Sequence, residues 1–185
     1  MDYGESSYRR FLSGDKEGLA DVMKMYRDGL VLYLSSAFVC NIDLAEELME
    51  ETFVKLYVSK PKFKGKSSFK TWLYSIARFT AVDYLRKHSN GSHSSLDNVD
   101  SVAGSENLEV NIIKSEEKRI LHRAIRKLKP EYEQALYLTY FEDFSNRETA
   151  SIMKKTEKQV RDILYHARKT LKAELIKEGF VYEKL

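Results

Sequence analysis

Nine Lys and Arg residues lie between Val54 and Asn90, against a single acid, Asp83. Seven aromatic residues are threaded among them: Tyr57, Phe63, Phe69, Trp72, Tyr74, Phe79 and Tyr84. Cations neutralise phosphates, and flat rings offer faces on which unstacked bases can lie. The window therefore has the chemistry of a single-strand nucleic-acid surface. Its residues divide into two sets. Phe69, Trp72 and Ile76 recur at helical spacing and are expected in a core. Phe63, Lys64, Lys66, Tyr74, Arg78 and Phe79 lie off that stripe or in a loop, and are the candidates to meet bases and phosphates.

A second constellation, Ser145 to Leu171, reads as a helix-turn-helix. Thr149, Ala150 and Ile152 of its first helix would pack on Val160 and Leu164 of the second, with the small Ala150 at the crossing. In that module the second helix enters the major groove of duplex DNA with its early residues on base edges. The outward positions are Lys158, Gln159, Arg161, Asp162, Tyr165, His166 and Lys169. Arg161 suits a guanine edge, Asp162 can accept from cytosine N4, and Gln159 can pair with adenine. The turn holds Lys154 and Lys155, where a glycine and an apolar residue are usual. An ordinary helical hairpin with a solvated charged face would use the same residues.

A third feature is acidic. Glu46, Glu47, Glu50 and Glu51 share one side of an expected helix, with Leu48, Thr52 and Leu56 on the other. This face directly precedes the basic window. An acidic surface unsuited to DNA, beside one suited to it, fits a protein placed between DNA and a basic protein partner.

The elements that must position these residues are helices. The chain has 185 residues, 43% hydrophobic and 32% charged, which suits one medium or two small soluble domains. Net charge is only +3, so the basic character is local. Leu19, Val22, Met23, Tyr26, Leu30, Tyr33 and Leu34 keep helical spacing. A second helix is expected from Asp43 as N-cap, with Glu46 in capping-box order. Pro61 and Gly65 break the chain between Ser59 and Lys66. Ser67 or Ser68 then caps a third helix to about Lys87. Residues 91–111 are rich in Ser, Asn, Gly and Asp and read as a flexible linker. Beyond it, Ile120, Ala124, Ile125 and Leu128 form a stripe ended by Pro130, and Ala135 to Tyr140 another. Ser145 with Glu148, then Thr156, start the last two helices. The expected fold is all-α, with helical domains at 1–90 and 112–185.

Several function classes fall away. No apolar run approaches the roughly 18 residues of a membrane span, and the N-terminus lacks a signal-peptide hydrophobic region. Cys40 sits among Ala37, Phe38 and Val39 and is expected as a buried structural thiol. The histidines His88, His93, His122 and His166 show no metal-ligand spacing. Clustered carboxylates or a nucleophile paired with a base are missing too, which argues against a nucleic-acid enzyme. The chain reads as cytoplasmic, with no metal and no cofactor.

The strings AEELMEETFVKLY, FKTWLYSIARFTAVDYLRK and SNRETASIMKKTEKQVRDILYHARKTL resemble the bacterial sigma-70 family. The short two-domain layout is similar to its extracytoplasmic-function (ECF, group IV) branch. The resemblance implies a promoter-specificity subunit that binds core RNA polymerase, melts and reads −10 DNA, and recognises the −35 duplex. It implies contact with the polymerase β′ coiled coil by Asp43, Glu46, Glu47, Glu50 and Glu51, with Leu48 and Phe53 behind, and contact with the β subunit. It implies −10 DNA binding by Phe63, Lys64, Lys66, Lys70, Trp72, Tyr74, Ser75, Arg78, Phe79, Asp83, Arg86 and Lys87. It implies −35 binding by Lys158, Gln159, Arg161, Asp162, Tyr165, His166, Arg168 and Lys169. An anti-sigma protein is an implied partner. Phe79 stands where the family often has Asn, so a ring can stack where an amide would hydrogen-bond. His166 replaces a frequent Arg, Asp162 a small polar residue and Glu50 the usual Gln. The rival reading is a helix-turn-helix regulator acting without core polymerase, which leaves the aromatic-basic window and the acidic face without a task.

Overall fold

The computed structural model describes residues 3–89 and 116–179 and is built of helices, with no strand among the described residues. The expected linker, 91–111, lies outside them. In order come α1 (Tyr3–Leu12), α2 (Glu17–Leu34), α3 (Ile42–Ser59), α4 (Phe69–Ser89), α5 (Glu116–Arg126), α6 (Pro130–Leu136), α7 (Asn146–Met153) and α8 (Glu157–Lys177). Both α2 and α6 run on into a π-helical turn, Ser35–Val39 and Tyr137–Phe141.

The first four helices share one core. From α2 come Val22, Leu30 and Leu34, from α3 Ala45, Leu48, Met49, Phe53 and Leu56, and from α4 Phe69, Leu73, Ala77 and Ala81. Their spacing of three, four and seven residues keeps each set on one helix face. Burying such a side chain contributes about 1.5–3 kcal/mol for the larger ones. Beside them Tyr8, Phe63, Phe69 and Trp72 form a cluster of tilted and edge-on rings with centroids 5.3–5.6 Å apart.

Local chemistry sets the helix ends, once not where the sequence pattern suggested. The N-cap of α3 is Asn41, whose side chain accepts from the Leu44 backbone N–H at 3.1 Å. Asp43 instead lies in the first turn, where its charge favours the positive end of the helix dipole. The shift follows from Cys40, which takes a left-handed conformation (φ 46°) and turns the chain earlier than expected. That turn also leaves Cys40 exposed, against the expectation of a buried thiol. Ser68, not Ser67, caps α4, accepting from the Thr71 N–H at 3.2 Å.

In the second group, α5, α6, α7 and α8 enclose Ala124, Leu128, Leu136, Leu138, Ile152, Met153, Val160, Leu164 and Ala167. Ser145 and Glu148 form the expected capping box on α7, and Thr156 and Gln159 form another on α8. Between them Lys154 is left-handed (φ 54°) and the Lys155 N–H returns to the Ala150 carbonyl at 3.0 Å. This is the helix ending that glycine usually makes. A lysine makes it at a cost of about 1–2 kcal/mol.

The two groups touch. Helix α4 lies along α7, and α6 packs on the π turn that follows α2. Tyr33 and Tyr74 of the first group meet Tyr137 and Phe144 of the second, with centroids 6.0 and 5.1 Å apart. Gln134 donates to the Tyr33 hydroxyl at 3.2 Å, and both residues are buried.

Candidate polymerase and nucleic-acid interfaces

The acidic face is carried by α3. Asp43, Glu47 and Glu50 are exposed, and no ion pair reaches them among the described residues. Glu46 receives Arg27 at 2.7 Å, and Glu51 receives Lys55 at 3.0 Å. Leu48 and Phe53 are buried beneath, so they anchor the helix. Three unpaired carboxylates at i, i+4 and i+7 form a stripe that a basic partner can read.

The basic window splits between the α3–α4 loop and α4. Lys60, Lys62, Lys64 and Lys66 are exposed on the loop. Rings hold that loop in place: Tyr8 donates to the Pro61 carbonyl at 2.8 Å, and Phe63 packs on Phe69 and Trp72. The expectation that Phe69 belongs to the core holds, and Trp72 and Ile76 are partly buried against it. Ser75 donates to the Thr71 carbonyl within α4.

Farther along α4, Phe79 is 55% exposed, between Lys55 at 5.9 Å and Lys154 at 5.6 Å from its ring centroid. An exposed ring flanked by ammonium groups suits a base and its phosphate. Arg86 and Lys87 are exposed and both reach Asp83 at 2.8 Å. The hydrogen bond from Lys87 above all holds the Asp83 carboxyl below the usual carboxylate range. Asp83 thus orders the two cations. The Arg78 Nε is buried with no hydrogen-bond partner among the described residues.

Two window residues face the second group of helices. Lys70 donates to the Glu142 carbonyl at 2.8 Å and pairs with its carboxylate at 2.9 Å. Tyr74 is 1% exposed, so it offers no ring face to a base in this arrangement. Burial first, and then the Glu142 carboxylate, push its phenol far above the ordinary tyrosine range. Nothing in the sequence indicates these contacts, because 72 residues separate Lys70 from Glu142.

The last helix presents a stripe. Val160, Ile163, Leu164 and Ala167 are buried, while Lys158, Arg161, Asp162, Tyr165, His166, Arg168 and Lys169 are exposed. Arg161 is held by Glu157 at 2.9 Å, and Arg168 donates to the Leu164 carbonyl at 3.2 Å. Gln159 is also exposed, but its side-chain oxygen takes the Thr156 N–H at 2.8 Å. Its amide therefore caps the helix, a second role that the Thr-x-x-Gln spacing carries and that the reading of Gln159 as a base contact passed over.

The family model for Sigma-70 region 2 matches residues 25–91, and that for Sigma-70 region 4 matches residues 118–171. An ECF RNA polymerase sigma factor of Bacillus subtilis, SigM, is 31% identical over 158 residues, 83% of this chain and 92% of its own length. The chain belongs to the ECF branch of the sigma-70 family. The ECF sigma-E factor of Salmonella typhimurium is likewise 31% identical, over 174 residues and 88% of each chain. Among solved structures, CnrH in complex with the cytosolic domain of CnrY has the same fold (TM-score 0.69, 18% identity, 95% of this chain and 99% of that one). So does RpoE in complex with the anti-sigma factor NepR from Bartonella quintana (TM-score 0.63, 22% identity, 85% of this chain and 96% of that one). This sigma factor is a promoter-specificity subunit, binding core RNA polymerase and promoter DNA to direct initiation. The regulator acting without core polymerase is set aside. Among the described residues no single helix is long and apolar enough to cross a membrane.

Proposed function

We propose that the three surfaces divide the work of promoter opening. Asp43, Glu46, Glu47, Glu50 and Glu51 dock on the β′ coiled coil. The loop from Lys60 to Lys66 and the α4 residues from Lys70 to Lys87 take the melted −10 strand, with Phe79 as a stacking platform. The α8 stripe from Lys158 to Lys169 reads the −35 duplex. The domains run 1–90 and 112–185. Recognition is the whole chemistry: unstacking costs a few kcal/mol per step and captured bases offset it, so the protein has no turnover of its own. It acts in the cytoplasm, with an anti-sigma protein as a further partner.

The observation that carries this reading is the unpaired acidic stripe Asp43, Glu47, Glu50, next to a window with one acid among nine cations. DNA repels the first surface and attracts the second. Replacing Glu47 and Glu50 with Lys tests it. Neither side chain supports the fold, so thermal stability should hold while binding to core polymerase falls at least about tenfold, as for desolvated charge pairs across an interface. Unchanged affinity for core would refute the assignment.

A further inference from the structure

The donors assigned above to the −10 strand are already occupied, and their occupants are carboxylates of the second domain. At the start of α4, Ser68 Oγ and Thr71 Oγ1 both donate to one oxygen of Glu148, at 3.1 and 3.0 Å. The other oxygen of Glu148 accepts the N–H and hydroxyl of Ser145, at 3.1 and 2.8 Å. One turn away, Lys70 gives its ammonium to the carboxylate and carbonyl of Glu142 and rests 4.8 Å from the Phe144 ring centroid. Lys154, also of the second domain, covers one side of Phe79. A hydroxyl pair and a lysine that hold two carboxylates offer the hydrogen bonds and charge that backbone phosphates would take. The same donors cannot hold both at once. The α8 stripe, by contrast, stays exposed.

We propose that Glu142 and Glu148 form an internal latch: they occupy the strand-binding groups of α4, hold the two domains together, and must leave before single-stranded DNA can bind. The proposal rests on the reading of α4 as the strand surface. Gly29 of α2 permits the closed arrangement. A methyl group on it would stand 2.5 Å from the Tyr74 hydroxyl and 2.9 Å from the Glu142 carboxylate. The latch makes the free protein competent for the duplex through α8 while closed to the melted strand. It opens when something else, core polymerase above all, separates the domains. In the closed state the intrinsic strand affinity is reduced by the fraction of molecules that are open.

The test uses the full chain, a short fluorescent oligothymidylate and small-angle X-ray scattering. The double substitution E142Q/E148Q removes both charges, while the glutamine introduced in place of Glu148 keeps the capping-box geometry. Gly29→Ala loosens the same contact with no change of charge. Each variant is expected to show a larger radius of gyration than wild type. Each should also bind the oligonucleotide about tenfold more tightly, the effect of one charge-assisted hydrogen bond. Lys70→Ala in the opened background should then remove the gain. Unchanged dimensions overturn the latch, and so does an affinity gain confined to the charge-changing variant. Expansion with no gain in strand affinity, with or without Lys70, overturns the assignment of α4 to the strand instead.

Discussion

Glu133 is a carboxylic acid buried where α6 meets the π turn after α2, with 6% of its surface exposed. Burial pushes its pKa up from 4.5 to about 8, against the opposing pull of Arg126. The charged form is the disfavoured one, so the folded chain holds a proton that the unfolded chain releases. Between pH 4.5 and about 8 the folded state therefore binds more protons, and stability must fall as pH rises through that window. One pKa unit corresponds to about 1.36 kcal/mol. The full window then carries a loss on the order of 3–5 kcal/mol, about 1.4 kcal/mol per pH unit at its steepest. Glu133→Gln keeps the shape and removes the proton. Urea unfolding of both proteins from about pH 5 to 8.5 isolates the effect, because every other group cancels in the difference. The two should be of similar stability at the acid end. The variant should gain steadily until it is about 3 kcal/mol more stable near neutrality. Stability curves that stay parallel across the window would refute the reasoning.

Other expectations follow from the same contacts. Lys154→Gly should raise stability by roughly 1 kcal/mol, since glycine occupies the left-handed region freely; thermal unfolding reads it, and a lower Tm would show the lysine geometry to be unstrained. Arg161→Ala should weaken −35 duplex binding by roughly 1–3 kcal/mol and relax preference at one base pair; a uniform loss on all sequences would make it a phosphate contact. Its exposed pair with Glu157 adds little to stability, so the fold should be unaffected. Phe79→Ala should cost roughly 1–3 kcal/mol of affinity for a melted −10 strand in the polymerase-bound state and leave duplex −35 binding unchanged. Equal strand affinity would remove Phe79 from the site.

Local patterns carried most of the fold. Periodic Leu, Val and Tyr in α2 marked its buried face, and the Ser145–Glu148 spacing marked the start of α7, because both depend on residues within one or two turns. The start of α3 was misplaced because Asp43 and Asn41 are both good caps. A backbone turn at Cys40, invisible to periodicity, chose between them. The charge segregation between α3 and α4 was equally legible, being written in composition. The part that could not be read is the contact between domains. Lys70 with Glu142, Ser68 and Thr71 with Glu148, and Tyr74 against Phe144 join residues about 70 to 80 positions apart, and no short-range signal links them. For that reason Tyr74, legible as an aromatic in a basic window, could not be recognised as an interdomain core residue.

The central claim is promoter specificity in the hands of core polymerase. The purified protein should be mixed with bacterial core RNA polymerase and genomic DNA fragments, and the transcript 5′ ends mapped. The account predicts new, protein-dependent start sites that share two upstream elements at a fixed spacing, lost when Glu47→Lys and Glu50→Lys are combined. Sequence-specific DNA binding by the protein alone, with no association with core and no new start sites, would contradict it.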